Sequence, residues 1–131
     1  MRIMIDTNIL LSALVFRSTK MADMIDYIAE KHTLVICSYV IEEFENVVTR
    51  KSLKYKNVID VFLSKLSFEM VYTPEWKEGM PTIRDEKDKP ILASAITADV
   101  DMLITGDKDF SNVDIERPEI MTPSEFLEQH V

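Results

Sequence analysis

Residues 2–16, RIMIDTNILLSALVF, carry the reading of the fold. Arg2 to Ile5 reads as a short buried strand. Asp6-Thr7-Asn8 then breaks the apolar run, which resumes at Ile9 and continues to Phe16 with the length of a helix. Asp6 therefore closes the strand at its carboxyl end. An unpaired carboxylate is costly inside so apolar a stretch, so Asp6 needs a partner or a task.

The same alternation continues along the chain. Thr33 to Cys37 is β-branched and apolar, a second strand. Phe68 to Tyr72, Met102 to Thr105 and Glu119 to Met121 supply three more candidates. Between them lie helical stretches: Met21 to Lys31, after a break near Arg17-Ser18-Thr19; a helix following Ser38, read as its N-cap, with Val40, Phe44, Val47 and Val48 on one face; a stretch marked by Val58, Phe62, Leu63 and Leu66; and about Asp88 to Ala98. Pro74 to Asp85 reads as a loop. Thr122-Pro123-Ser124-Glu125 is a capping box that opens a final helix. Strands alternating with helices predict an α/β fold with a parallel sheet covered on both faces, and in such folds ligands bind beyond the carboxyl ends of the strands.

The 131 residues fit a single domain spanning 1–131, and 2 glycines with 5 prolines leave little for flexible linkers. Cys37 is the only cysteine, so an intramolecular disulfide is excluded and a reducing compartment is expected. No segment approaches the ~20 apolar residues of a membrane span. Asp6 and Asn8 also interrupt what would be the core of a signal peptide. A soluble, cytoplasmic protein without a membrane partner is the expectation. The net charge of -8, from 15 Lys+Arg against 23 Asp+Glu, argues against a nucleic-acid ligand unless the negative charge is concentrated at a cation site.

Position sorts the acids. Asp6 ends the first strand, and Asp107, in LITGDKDF, follows the strand Met102 to Thr105 in the same way. Each alone reads as a turn residue; two at matching positions point to one edge of one sheet. On the helix after Ser38 the apolar face centres on Phe44 at ~100° per residue. Glu42 then points to solvent, while Glu43 and Glu45 lie on the flanks, where a solvated charge is the plainer reading. Asp88 stands three, four and seven residues before Ile91, Leu92 and Ala95, on the buried face of its helix, with an N-cap as the competing role. Asp85 reads as a loop residue.

Asp6-Thr7-Asn8 after a short strand, Glu43 in IEEF, Asp88 in DKPILASA and Asp107 in ITGDKDF together resemble the PIN-domain family of metal-dependent ribonucleases. The similarity is greatest to its toxin branch, which residues 84–110, RDEKDKPILASAITADVDMLITGDKDF, resemble closely. The resemblance covers nearly the whole chain. It implies a three-layer α/β/α sandwich with a central, mainly parallel sheet. It implies that Asp6, Glu43, Asp88 and Asp107 form the catalytic cluster holding Mg²⁺ or Mn²⁺. Thr7 and Asn8 would shape the first ligand, and Asp109 would be an auxiliary acid. It further implies RNA as substrate, an antitoxin protein as partner, and a homodimer. Glu43 is preferred to Glu42 on the IEEF match and on its facing. Asp99 stands where a helix-ending glycine is common, and Asp tolerates the left-handed conformation better than most residues.

Electrostatics agrees with an ion. Carboxylates ~6 Å apart at an effective dielectric of ~20 repel by on the order of 3 kcal/mol per pair, so either protons or a cation must sit among four of them. Oxygen ligands suit Mg²⁺ or Mn²⁺. His32, His130 and Cys37 are too scattered in sequence for a zinc motif, and no Ser/His/Asp arrangement supplies a covalent nucleophile. Arg84, Lys87, Lys89 and Lys108 flank the acids and are candidates for phosphate contact. Arg50, Lys51, Lys54 and Lys56, with Tyr55 among them, read first as a solvated helix end. Trp76 reads as packing. The main alternative is a non-catalytic PIN-like protein-interaction domain. A phosphatase of the haloacid-dehalogenase type is weaker, because it wants an aspartate where this chain has Asn8.

Overall fold

In a computed structural model of the protein, residues 1–51 and 54–131 are described, with only the backbone considered at 51, 54 and 55. β1 is Arg2–Ile5, as read, and α1 is Thr7–Leu14, beginning two residues earlier than the apolar run, because Asp6 caps it, and ending two residues earlier. Then come α2 Thr19–Lys31, β2 Thr33–Cys37, α3 Ser38–Lys51, α4 Lys54–Lys65 and β3 Glu69–Val71. The remainder is α5 Lys89–Thr97, β4 Met102–Ile104, β5 Glu119–Met121 and α6 Pro123–His130. Short 3₁₀ turns over Glu86–Asp88 and Lys108–Asn112 precede α5 and follow β4.

The five strands form one all-parallel sheet in the order β3-β2-β1-β4-β5. Successive strand side chains point to opposite faces. Ile3, Met4 and Ile5 are nonetheless all buried, as are Met102, Leu103 and Ile104. Both faces are therefore covered by helices, in the three-layer α/β/α arrangement the sequence predicts. The chain runs outward from β1 through β2 to β3, then returns to β4 on the other side of β1. Strand order thus reverses between β1 and β4, and the crevice of a doubly wound sheet opens at such a reversal, beyond the carboxyl ends.

Local chemistry explains several element ends. Ser18 caps α2 by accepting from the Met21 amide. Thr122 and Glu125 form both bonds of the capping box. Asp99 adopts φ 52°, the left-handed conformation anticipated for it. Tyr27 joins α2 to α6 by donating to the His130 carbonyl. Ser38 departs from its expected role: its Oγ accepts from the Thr73 amide, so it ties α3 to the loop after β3. Among the described residues, no helix is long and apolar enough to cross a membrane.

Candidate metal centre

Asp6 and Asp107 follow the two strands that flank the reversal of strand order. Register explains how they are coupled. Ile5 stands beside Ile104 in the parallel ladder, so the next position places Asp6 beside Thr105. The Thr105 hydroxyl donates to Asp6 Oδ2 and accepts from the Asp107 amide at 3.1 Å. Asp6 Oδ1 accepts from the Ile9 amide at 3.1 Å, capping α1. The turn reading and the site reading therefore hold together for Asp6. Asp107 Oδ1 likewise accepts from the Asp109 amide at 2.9 Å.

Glu43 reaches the crevice from the flank of α3. It is half-buried, whereas Glu42 and Glu45 are exposed. Tyr39, one turn earlier, donates its hydroxyl to Glu43 Oε2 at 3.1 Å. Burial and the Glu43 charge push the Tyr39 phenol up to about 12. Asp88 comes from the start of α5. It stands at the N-cap position but makes no side-chain cap bond, so the capping role fails. Asp88 is 7% exposed, and its Oδ2 has no hydrogen-bond partner; the buried Thr7 Oγ1 is unpartnered too.

Asp6, Glu43, Asp88 and Asp107, with Thr7 and Asn8, line one cavity of about 560 Å³. Lys87 and Arg50 border it, and Glu42 stands at its wall. Asp109 lies outside that lining. It meets Asp88 and Asp85 instead, one oxygen or more from each lying within 4.8 Å of the others. Asp85 is thus a site residue and not merely the loop residue that the sequence suggested. Its Oδ1 also caps the 3₁₀ turn through the Lys87 amide at 3.0 Å.

The basic residues sort by distance. Arg84 is extended into solvent, 4.0 Å from Asp109. Lys89 points to a neighbouring cleft, with its ammonium 5.4 Å from the Trp76 ring centre. Lys108 is exposed beside Asp107. Of the other basic cluster, the side chains of Lys51, Lys54 and Tyr55 lie outside the described residues, and Lys56 is exposed.

The electrostatic consequence is a site under charge stress. Burial first, then the adjoining Asp107, then the charges of Asp85 and Asp109 raise Asp88 to about 7. Burial also raises Asp6, aided by Asp107 and Glu43, while the hydrogen bonds from Thr105 and Ile9 oppose the shift. Two buried oxygens without partners, among crowded carboxylates with no His or Cys ligand in the lining, fit a hard divalent cation.

Three participants escaped the sequence reading. Tyr39 had a usable signal, since it stands four residues before Glu43 on one helix. Asp85 stands three before Asp88, a spacing that meets only if the intervening residues coil. Thr105 needed the strand order, because 99 residues separate it from Asp6.

A doubly wound parallel sheet with a carboxylate pocket at its reversal defines an α/β protein with an acidic site at its strand ends. The chain belongs to the PIN domain family, whose pattern it matches over residues 2–109. Among curated proteins, none matches this chain. Two solved structures share the fold. One is VapBC2 from Rickettsia felis bound to a DNA fragment from their promoter, with TM-score 0.70, 23% identity, and coverage of 92% of this chain and 97% of that one. The other is DNA-bound VapBC from Salmonella typhimurium, with TM-score 0.65, 16% identity, and coverage of 94% and 98%.

Proposed function

We propose that this protein is a Mg²⁺- or Mn²⁺-dependent endoribonuclease that hydrolyses RNA phosphodiester bonds, and that it is the toxin of a toxin–antitoxin pair. The observation that carries this reading is the convergence of Asp6, Glu43, Asp88 and Asp107, from four separate stretches of chain, on one cavity that also holds the unpartnered Asp88 Oδ2. Membership of the PIN domain family supports it. The fold shared with VapBC complexes supports an antitoxin partner. A cytoplasmic location and a homodimer complete the proposal, as does a single PIN-like domain over residues 1–131.

In this reading Asp6, Glu43, Asp88 and Asp107 hold the metal, and Asp109 and Asp85 complete the acidic wall beside Asp88. When bound, a divalent ion supplies Lewis acidity to the phosphate and lowers the pKa of water. The protein's own groups do the rest. Thr105 fixes the orientation of Asp6 relative to Asp107. Tyr39 fixes Glu43, and its phenol stays protonated because its pKa is about 12. Burial and carboxylate crowding raise Asp88 to about 7 in the metal-free pocket, and that crowding is what a bound cation would relieve. Lys87, with Arg84, Lys89 and Lys108 around it, offsets the phosphate charge at the rim.

Purified protein incubated with single-stranded and structured RNA, in Mn²⁺ or Mg²⁺, should cleave RNA. Chelation with EDTA and the Asp6→Asn variant should each remove the activity. Asp6→Asn keeps an oxygen able to cap α1 while removing the charge and the second acceptor oxygen, and an unchanged Tm would show that its loss of activity does not come from unfolding. Equal cleavage by that variant would assign the activity to a contaminant and overturn the proposal.

A further inference from the structure

The acidic cavity shares two walls, Tyr39 and Glu42, with a second cleft of about 420 Å³. That volume falls in the ~300–1,000 Å³ range of small-molecule sites. One side of the cleft is the loop after β3, carrying Pro74 and Trp76. The other is the first turn of α5, carrying Lys89 and Pro90. The cleft is fixed in advance at the root of that loop. The Thr73 amide donates to Ser38 Oγ at 3.0 Å, Thr73 Oγ1 accepts from the Tyr39 amide at 3.1 Å, and Ser94 Oγ lies 2.9 Å from it. Trp76 is half-buried and packs against the core, as the sequence suggested, while its exposed part lines the cleft with the Lys89 ammonium over its ring. Lys89 is otherwise held by Glu86 at 3.2 Å, and the Glu86 side chain is 86% exposed. Such a surface pair is weak and exchanges readily. Two carboxylates, Glu42 and Glu86, edge the cleft and repel a phosphate from its interior. An uncharged, planar group that carries N–H donors suits this lining.

We propose that the Trp76 cleft binds the base of a nucleotide next to the scissile phosphate, a reading that rests on the ribonuclease assignment above. The base stacks on Trp76, its exocyclic amino group faces Glu42, and Lys89 exchanges Glu86 for the backbone phosphate. Adenine, cytosine and guanine each carry an exocyclic amino group where uracil has only carbonyls, so Glu42 selects against uracil. The continuity of the two cavities favours a nucleotide over a side chain from a protein partner, because one polynucleotide strand would occupy both.

Trp76 is the only tryptophan in the chain, so its emission reports the cleft without a label. The Asp6→Asn variant, which does not turn over, is titrated in Mn²⁺ with short oligoadenylate, oligocytidylate and oligouridylate. Saturable quenching is expected, with the adenylate and cytidylate binding at least ~5-fold more tightly than the uridylate. In the otherwise wild-type chain, Trp76→Ala should raise KM for RNA by about 5- to 100-fold, the range that loss of one stacked base implies. Its Mn²⁺ affinity and kcat should be retained. Trp76→Phe, which keeps a stacking face and the packing of the loop, should hold KM within a few-fold of wild type. Glu42→Gln should narrow the preference against uracil. Unchanged emission with all three oligonucleotides, or an unchanged KM in Trp76→Ala, overturns the proposal. The second result is the one expected if the cleft takes a partner protein's side chain. Quenching without any cleavage by the wild-type chain would sink the ribonuclease assignment while leaving the base in the cleft. Cleavage without quenching would do the reverse.

Discussion

Asp88 is the residue on which the site turns, because its carboxyl is buried, uncapping and partly unpartnered. Its pKa is raised in the folded state, to about 7 from an ordinary 3.8. The native protein therefore binds more protons than the unfolded chain between those values, and linkage makes metal-free stability fall as pH rises through that window. One such proton sets a slope of up to ~1.4 kcal/mol per pH unit. Asp6 is shifted in the same direction. Asp101, whose pKa is lowered chiefly by the Arg2 amide, acts below the ordinary carboxylate range and leaves this window alone. Urea denaturation in EDTA at pH 5 and at pH 8 should find the protein less stable at pH 8, and saturating Mn²⁺ should remove most of the difference. Asp88→Asn should stabilise the metal-free protein at pH 8, by on the order of 1–3 kcal/mol, should stabilise it by only about a third as much at pH 5, and should lose the Mn²⁺-induced rise in Tm. A destabilised variant at pH 8 would show instead that Asp88 is held by native contacts.

At the scale of elements, what the sequence made legible was local. β2 and β5 begin and end where their composition placed them, and the Thr122 capping box and the left-handed Asp99 are each set by a few neighbouring residues. The four acids were legible too, because each sits at a strand end or helix flank readable one element at a time. What stayed hidden was made by pairing between elements. Ser38 looked like a cap but bonds Thr73, 35 residues away. Thr105 looked like the last residue of a strand, but sits between Asp6 and Asp107 only because β4 lies beside β1. Asp85 becomes a neighbour of Asp109 only after β4 returns to the sheet. These two kinds of information predict different mutants. Thr122→Ala should cost α6 ~1 kcal/mol in urea denaturation and leave Mn²⁺ affinity unchanged. Thr105→Val, close in shape, removes the hydroxyl that orients two acids, and calorimetry should register Mn²⁺ binding ~10–100-fold weaker, the usual effect of losing a supporting bond behind a ligand. Equal Mn²⁺ affinity in Thr105→Val and wild type would reduce that threonine to a strand terminus.

For the molecule as a whole, a net charge of -8 must be reconciled with the polyanionic substrate proposed above. The doubly wound topology offers a resolution, because it gathers acids from separate elements to one crevice, where bound cations would offset them, and leaves basic side chains at the rim. Arg84, Lys87 and Lys108 are exposed there, and Lys89 is half-exposed. The rim has few cations, so the substrate should be held by few phosphate contacts. Each contact to single-stranded RNA contributes about -0.7 to the slope of log affinity against log salt. Four contacts thus predict a slope near -3 for kcat/KM, measured with Mn²⁺ held saturating so that salt does not act through metal loss. Lys87→Ala, at the border of the acidic cavity, should make the slope shallower by about 0.7 and weaken all RNA sequences alike. Lys56→Ala, on α4 and away from that border, should leave it unchanged. A slope near zero in the wild-type chain would mean that the rim lysines do not touch phosphate, and that bound cations alone draw RNA to this acidic surface.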